Sequence, residues 1–167
     1  MIKNKKISQL VCIIIYVISF YISYLITPES ISNIWLKITI WHIYATLFIY
    51  IGSVILKNSS LYDPFWSVAP VPIVIYLATQ YQNSTTLKVL VLGPILFWAI
   101  RLTRNWIISW KGFDHEDFRY IDLKNTNKFK AEFNNFFGIH LFPTLIVNLG
   151  LFPLLYVLTN NLSLIHI

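Results

Sequence analysis

Charge is scarce in this chain: 12% of its 167 residues are Asp, Glu, Lys or Arg, and only seven are acidic. A soluble domain carries about 25%, so a water-soluble globular fold is excluded at the outset. Cysteine is nearly absent as well. The single Cys12 permits no intrachain disulfide, does not report a redox compartment, and reads as small apolar filler in the first apolar run. The five glycines are scattered and form no phosphate-binding loop, no His/Cys spacing suits zinc or another metal, and there is neither an internal repeat nor a low-complexity tract. What is abundant is apolar: 56% hydrophobic residues, 17% aromatic, and a mean hydropathy of +0.62. That composition belongs to a polytopic membrane protein. The formal charge of +6 sits in short loops between apolar segments, where cations orient spans and meet anionic membrane lipids, and not in a stripe suited to nucleic acid.

Five apolar segments of spanning length predict an all-α membrane helical bundle, with spans at about 7–26, 34–56, 64–79, 87–110 and 136–158 in a single membrane domain over 1–161. The first run is longer than the roughly 7–15 apolar residues of a signal peptide and lacks a small-residue cleavage site, so it reads as an uncleaved span. Pro28 stops it. In the second span His42 lies deep, where a hydrogen bond to a neighbouring helix is the expected role. The third opens with Asp63-Pro64, which suits a helix cap; the alternative is a carboxylate at the mouth of a cleft with Trp66 and Ser67 one turn on. Pro70 and Pro72 should bend this span, and Gly93-Pro94 should interrupt the fourth. In the last span His140, Thr144 and Asn148 repeat every four residues and predict a polar seam against another helix.

Ionisable residues crowd one stretch, RLTRNWIISWKGFDHEDFRY, from Arg101 to Tyr120. Its first half continues the fourth span, with Arg101, Asn105 and Ser109 at four-residue steps and Arg104 one turn from Arg101. If that span reaches Trp110, Arg101 is near mid-membrane, where a charge costs roughly 2.5–3.5 kcal/mol on insertion scales. If it ends near Thr103, the arginines snorkel at the interface beside Trp106 and Trp110. The second half opens a polar loop, 111–135. With five spans, Lys3, Lys5, Lys6, Lys57, Lys111, Arg119, Lys124, Lys128 and Lys130 share one side, against Lys88 and the boundary Lys37 on the other. That bias places the N-terminus and the long loop in the cytoplasm. Taken without any relative, the loop's acids and Arg119 read first as a salt-bridge cluster capping helix ends.

The blocks LYDPFWSVAPV, RLTRNWIISWKGFDHEDFRY and FFGIHLFP resemble those of the steroid 5-alpha-reductase-like family, especially its multi-span members with Asp-x-x-Trp and Gly-x-x-x-Glu-Asp-x-Arg-Tyr blocks. The resemblance covers about 61–158. It implies an NADPH-dependent membrane oxidoreductase that reduces a carbon–carbon double bond conjugated to a carbonyl in a lipid- or steroid-like substrate. On that implication Arg101, Arg104 and Arg119 meet cofactor phosphates, while Asn105, Glu116 and Asp117 meet ribose or amide groups. Tyr120 or Asp63 polarises the carbonyl, and Trp66 and Ser67 line the substrate side. The alternatives are a membrane methyltransferase acting on a lipidated substrate and a non-enzymatic membrane scaffold. The family's downstream block of Arg-His-Pro type is not found, so the chain is expected to be an N-terminal part with an incomplete cofactor site. Residues 162–167, LSLIHI, match a translated sequencing-adapter end and are expected to be a non-native tail. A bacterial inner membrane and an endoplasmic reticulum suit the spans equally.

Overall fold

The computed structural model describes residues 4–160; Lys3 and the expected tail at 162–167 lie outside the described residues. Every regular element among them is helical: α1 (Lys5–Ile26), α2 (Ile34–Leu56), a 3₁₀ turn (Ser59–Tyr62), α3 (Phe65–Val68), α4 (Pro70–Gln80), α5 (Thr85–Ser109), α6 (Phe118–Lys124), α7 (Lys128–Phe133), a π-helical segment (Asn134–Leu141), α8 (Phe142–Gly150) and α9 (Phe152–Thr159). Five helical stretches are long and apolar enough to cross a membrane: 5–26, 34–56, 59–80, 85–109 and 128–159. This is consistent with an integral membrane protein.

Local chemistry sets most boundaries. Asn4 accepts from the amides of Lys6 and Ile7 to start α1, Asn33 caps α2 through Leu36, and Ser84 caps α5 through Leu87. Lys57 ends α2 in the left-handed region, φ 52°, turning the chain into the 3₁₀ turn. The bend expected in the third span falls at Ala69, where α3 gives way to α4 with Pro70 in its first turn. The fourth span is not interrupted. α5 runs through Pro94, because losing one intrahelical bond is tolerable in a helix already 25 residues long. The polar loop is also more ordered than its composition suggests, since α6 and α7 form within it behind the caps Asp117 and Asn127.

The core is aromatic and centred on α1, α2 and α3. Phe65, fully buried, touches Tyr16, Phe20, Tyr62 and His42 with ring centroids 5.5–6.0 Å apart. Trp41 donates its indole N–H to the Phe20 carbonyl at 3.0 Å, and the Tyr16 hydroxyl donates to the Leu61 carbonyl. The outer faces of α1 and α5 expose Val17, Leu25, Phe97 and Ile100, as surfaces facing lipid do.

The polar seam forms between α8 and α2. Thr144 bonds Thr46 and the Tyr62 hydroxyl at 2.9 and 2.8 Å, and the Thr39 hydroxyl donates to Asn148 at 3.0 Å. His140 instead turns its Nδ1 to the carbonyl of Asn135, five residues back, as the π-helical spacing allows. His42 departs from expectation. It is fully buried with its ring 6.0 Å from that of Phe65, and neither ring nitrogen has a partner among the described residues.

Two contacts fix which helix ends lie together. Lys5 donates its ammonium to the Ile108 carbonyl at 2.9 Å and Gln9 its amide to Ile107 at 2.9 Å, so the start of α1 caps the end of α5. Gly112 then passes close against α1 with φ +97°; its position leaves only 3.2 Å from a would-be Cβ to the Ser8 hydroxyl. The start of α1, the turn after α2 and the loop after α5 therefore form one end of the bundle.

Candidate functional site

At that end two segments run side by side in constant register. Ser59 pairs with Glu116, Ser60 with Asp117 and Asp63 with Tyr120, each 57 residues apart. The Ser59 amide donates to the Glu116 carboxylate at 2.6 Å, the Asp117 amide donates to the Ser60 hydroxyl at 2.9 Å, and the Tyr120 hydroxyl donates to Asp63 at 2.6 Å. Asn58 sets the register. Its side-chain amide donates to the carbonyls of Phe113 and His115 at 3.0 and 3.2 Å, and its oxygen accepts from the Ser60 amide at 2.9 Å. Lys124 closes the far side by an ion pair to Glu116 at 2.5 Å and a bond to Ser59, whose hydroxyl donates to Asn135 of the π-helical segment.

This arrangement decides what several side chains do. Asp63 makes no helix cap; the residue preceding α3 has no side-chain cap bond, and the carboxylate faces Tyr120 instead. Glu116 is consumed by the Ser59 amide and Lys124 and so holds the loop in place. Arg119 forks onto Asp117 through Nε and Nη2, both at 2.8 Å, and stands 5.9 Å from the centre of the Tyr120 ring. That guanidinium holds the Asp117 carboxyl below its ordinary range. Burial, and then the neighbouring Asp63, push the Tyr120 phenol well above its own, so it keeps its proton at neutral pH.

Two cavities meet at Asp63. A polar one of about 360 Å³ opens toward the loop and is lined by Asp63, Trp66, Ser67, Asn105, Asp117 and Arg119, with Trp106, Ser109, Trp110, Lys111 and His115 completing its wall. An apolar one of about 420 Å³ runs between α3, α6 and α8, bounded by Tyr120, Phe142, Pro143 and Ile146. Asp63, Trp66 and Arg119 belong to both. The structure thus brings Asp63, Tyr120, Trp66, Ser67, Asn105, Asp117 and Arg119 together. It leaves Glu116 behind them as a support, and it does not bring in Arg101 and Arg104, both exposed on another part of α5.

Nothing in the linear pattern assigns Asn58, Ser60, Lys124, Trp106 or Trp110 to the site. Asn58 and Ser60 sit in what reads only as a polar turn, and no spacing rule links a residue to one 57 positions away. Trp106 and Trp110 read as interfacial belt residues, yet they stack at 4.8 Å along the wall of the polar cavity, and their buried indole N–H groups have no partner among the described residues. No group of His, Cys, Asp and Glu among the described residues is arranged to hold a metal ion.

A family model described as a protein of unknown function, DUF1295, matches residues 48–166 of this chain. No curated protein and no solved structure matches it significantly. The match covers more than half of the chain, including every residue of the two paired segments, and the chain belongs to that family.

Proposed function

We propose that this DUF1295 member is part of an NADPH-dependent membrane oxidoreductase that reduces a carbon–carbon double bond conjugated to a carbonyl in a lipid- or steroid-like substrate. The resemblance of its blocks to the steroid 5-alpha-reductase-like family suggests the reaction. The observation that carries it is the Tyr120–Asp63 hydrogen bond, 2.6 Å long, at the wall shared by a polar and an apolar cavity. A reaction between a water-borne cofactor and a membrane-borne substrate needs such a meeting point.

The polar cavity suits an acceptor-rich group. Trp106 and Trp110 give it a stacked aromatic wall, and Lys111 and Arg119 supply positive charge. Those four residues, with Asn105 and Asp117, are the ones that would hold NADPH; Arg101 and Arg104 do not line this cavity. NADPH, when bound, supplies the hydride. The chain's part is to orient and to protonate. The apolar cavity admits the substrate's hydrocarbon body against Phe142 and Ile146 and brings its carbonyl to the phenol. Tyr120 keeps its proton at neutral pH; its single O–H, held on Asp63 in the free site, would turn from that carboxylate to the developing oxyanion once the carbonyl has entered. The charge bias supports a cytoplasmic position for this end of the bundle, on the side of soluble nucleotides.

The test uses the protein reconstituted in nanodiscs with NADPH and enone-bearing steroids or isoprenoids. The expected product is heavier by two hydrogens. Tyr120→Phe should slow its formation by about 10²-fold or more while helicity is kept. Wild-type turnover in Tyr120→Phe, or methylation from S-adenosylmethionine in place of reduction, would defeat the proposal.

A further inference from the structure

α5 divides its surface between two tasks. Leu102, Asn105, Trp106 and Ser109 face the polar cavity, whereas Leu96, Ile100, Thr103, Arg104 and Ile107 form one wall of a separate apolar groove of about 430 Å³, closed on its other side by Val71 and Pro72 of α4. At 100° per residue Arg101 falls between these stripes, on the outward strip with Phe97 and Ile108, which are 70% and 59% exposed. Arg101 is exposed as well, and neither it nor Arg104 makes an ion pair or side-chain hydrogen bond among the described residues. Two unpaired arginines on the outer face of a spanning helix need an anion.

We propose that this face of α5 holds one anionic phospholipid, its phosphate on Arg101 and Arg104 and an acyl chain in the groove between α4 and α5. Dimensions support that occupant. Arg104 and Arg101 lie about 7.5 and 12 Å inside the end of α5 at 1.5 Å per residue, within reach of the phosphate layer for a side chain that snorkels. From Leu96 to Ile107 the groove runs about 16 Å, close to the roughly 15 Å of half a hydrocarbon core. Guanidinium groups one turn apart offer forked hydrogen bonds to a phosphodiester that a zwitterionic lipid presents with its own counter-charge. The site is distinct from the polar cavity: the Ser67 and Thr103 hydroxyls, 3.5 Å apart, stand between them. It does not depend on the reductase reading.

The chain, purified in a neutral detergent, is titrated with phosphatidylglycerol and, separately, phosphatidylcholine, and retained lipid is counted by native mass spectrometry. Wild type should keep one phosphatidylglycerol with at least a tenfold preference over phosphatidylcholine. The double substitution Arg101→Gln/Arg104→Gln should abolish the preference with helicity unchanged. Ile100→Trp, at a position 66% exposed and so free of core packing, should cut phosphatidylglycerol retention at least threefold by crossing the groove with both arginines intact. Equal retention of the two lipids by wild type, unchanged retention in the double variant, or cross-linking of Arg104→Cys to a second copy of the chain would overturn the proposal.

Discussion

Replacing Asn58 by Ala removes three hydrogen bonds from a side chain that is 2% exposed. The Phe113 carbonyl and the Ser60 amide belong to residues only 1% exposed and lose partners that water cannot replace. His115 is exposed, so its carbonyl can rehydrate. At about 1–3 kcal/mol for each stranded buried group, the two together give about 4 kcal/mol, or roughly a thousandfold in the folding equilibrium. The stacked Trp106–Trp110 pair, with Phe113 packed on it at 5.1 Å, is the natural reporter. Unfolding of the purified chain by sodium dodecyl sulfate in mixed micelles, followed by tryptophan fluorescence, measures the change. Asn58→Asp keeps the acceptor for Ser60 but sets a carboxylate against two carbonyls, and should do at least as much damage. A loss below about 0.5 kcal/mol in Asn58→Ala would refute the claim that this residue sets the register of the paired segments.

Gly112→Ala should cost about 1–3 kcal/mol, since φ +97° is strained for any side chain and the new Cβ would meet Ser8 and Lys5. Amide hydrogen exchange over 111–117 should rise, whereas Gly138→Ala, where a Cβ meets nothing within 4 Å, should leave it unchanged. The Asp117–Arg119 pair contributes stability only while Asp117 is ionised. Its carboxyl is lowered on folding, so that contribution is complete above the ordinary Asp value of about 3.9 and disappears as pH falls through the depressed folded value. Between pH 5 and pH 2.5 the melting temperature of wild type should therefore fall more than that of Asp117→Asn; parallel profiles would show that the pair adds nothing.

Hydropathy along the chain was enough to establish five spans and a helical bundle, because each span must satisfy its own backbone hydrogen bonds and the apolar stretch that does so is contiguous. The seam at Thr144 and Asn148 was legible for the same reason, as four-residue spacing is a property of one helix. Proline was a poorer guide: Pro70 starts a helix, yet Pro94 sits inside an unbroken one, and packing decides between the two. The crowd of ionisable residues from Arg101 to Tyr120 marked the right region without sorting it. Only the tertiary structure separates Tyr120 on Asp63, Glu116 on Ser59 and Lys124, Arg119 on Asp117, and Arg101 and Arg104 turned outward from the cavity. The division arises from contacts across 57 residues and from the angular position of each side chain on α5, and a linear pattern of charges contains neither.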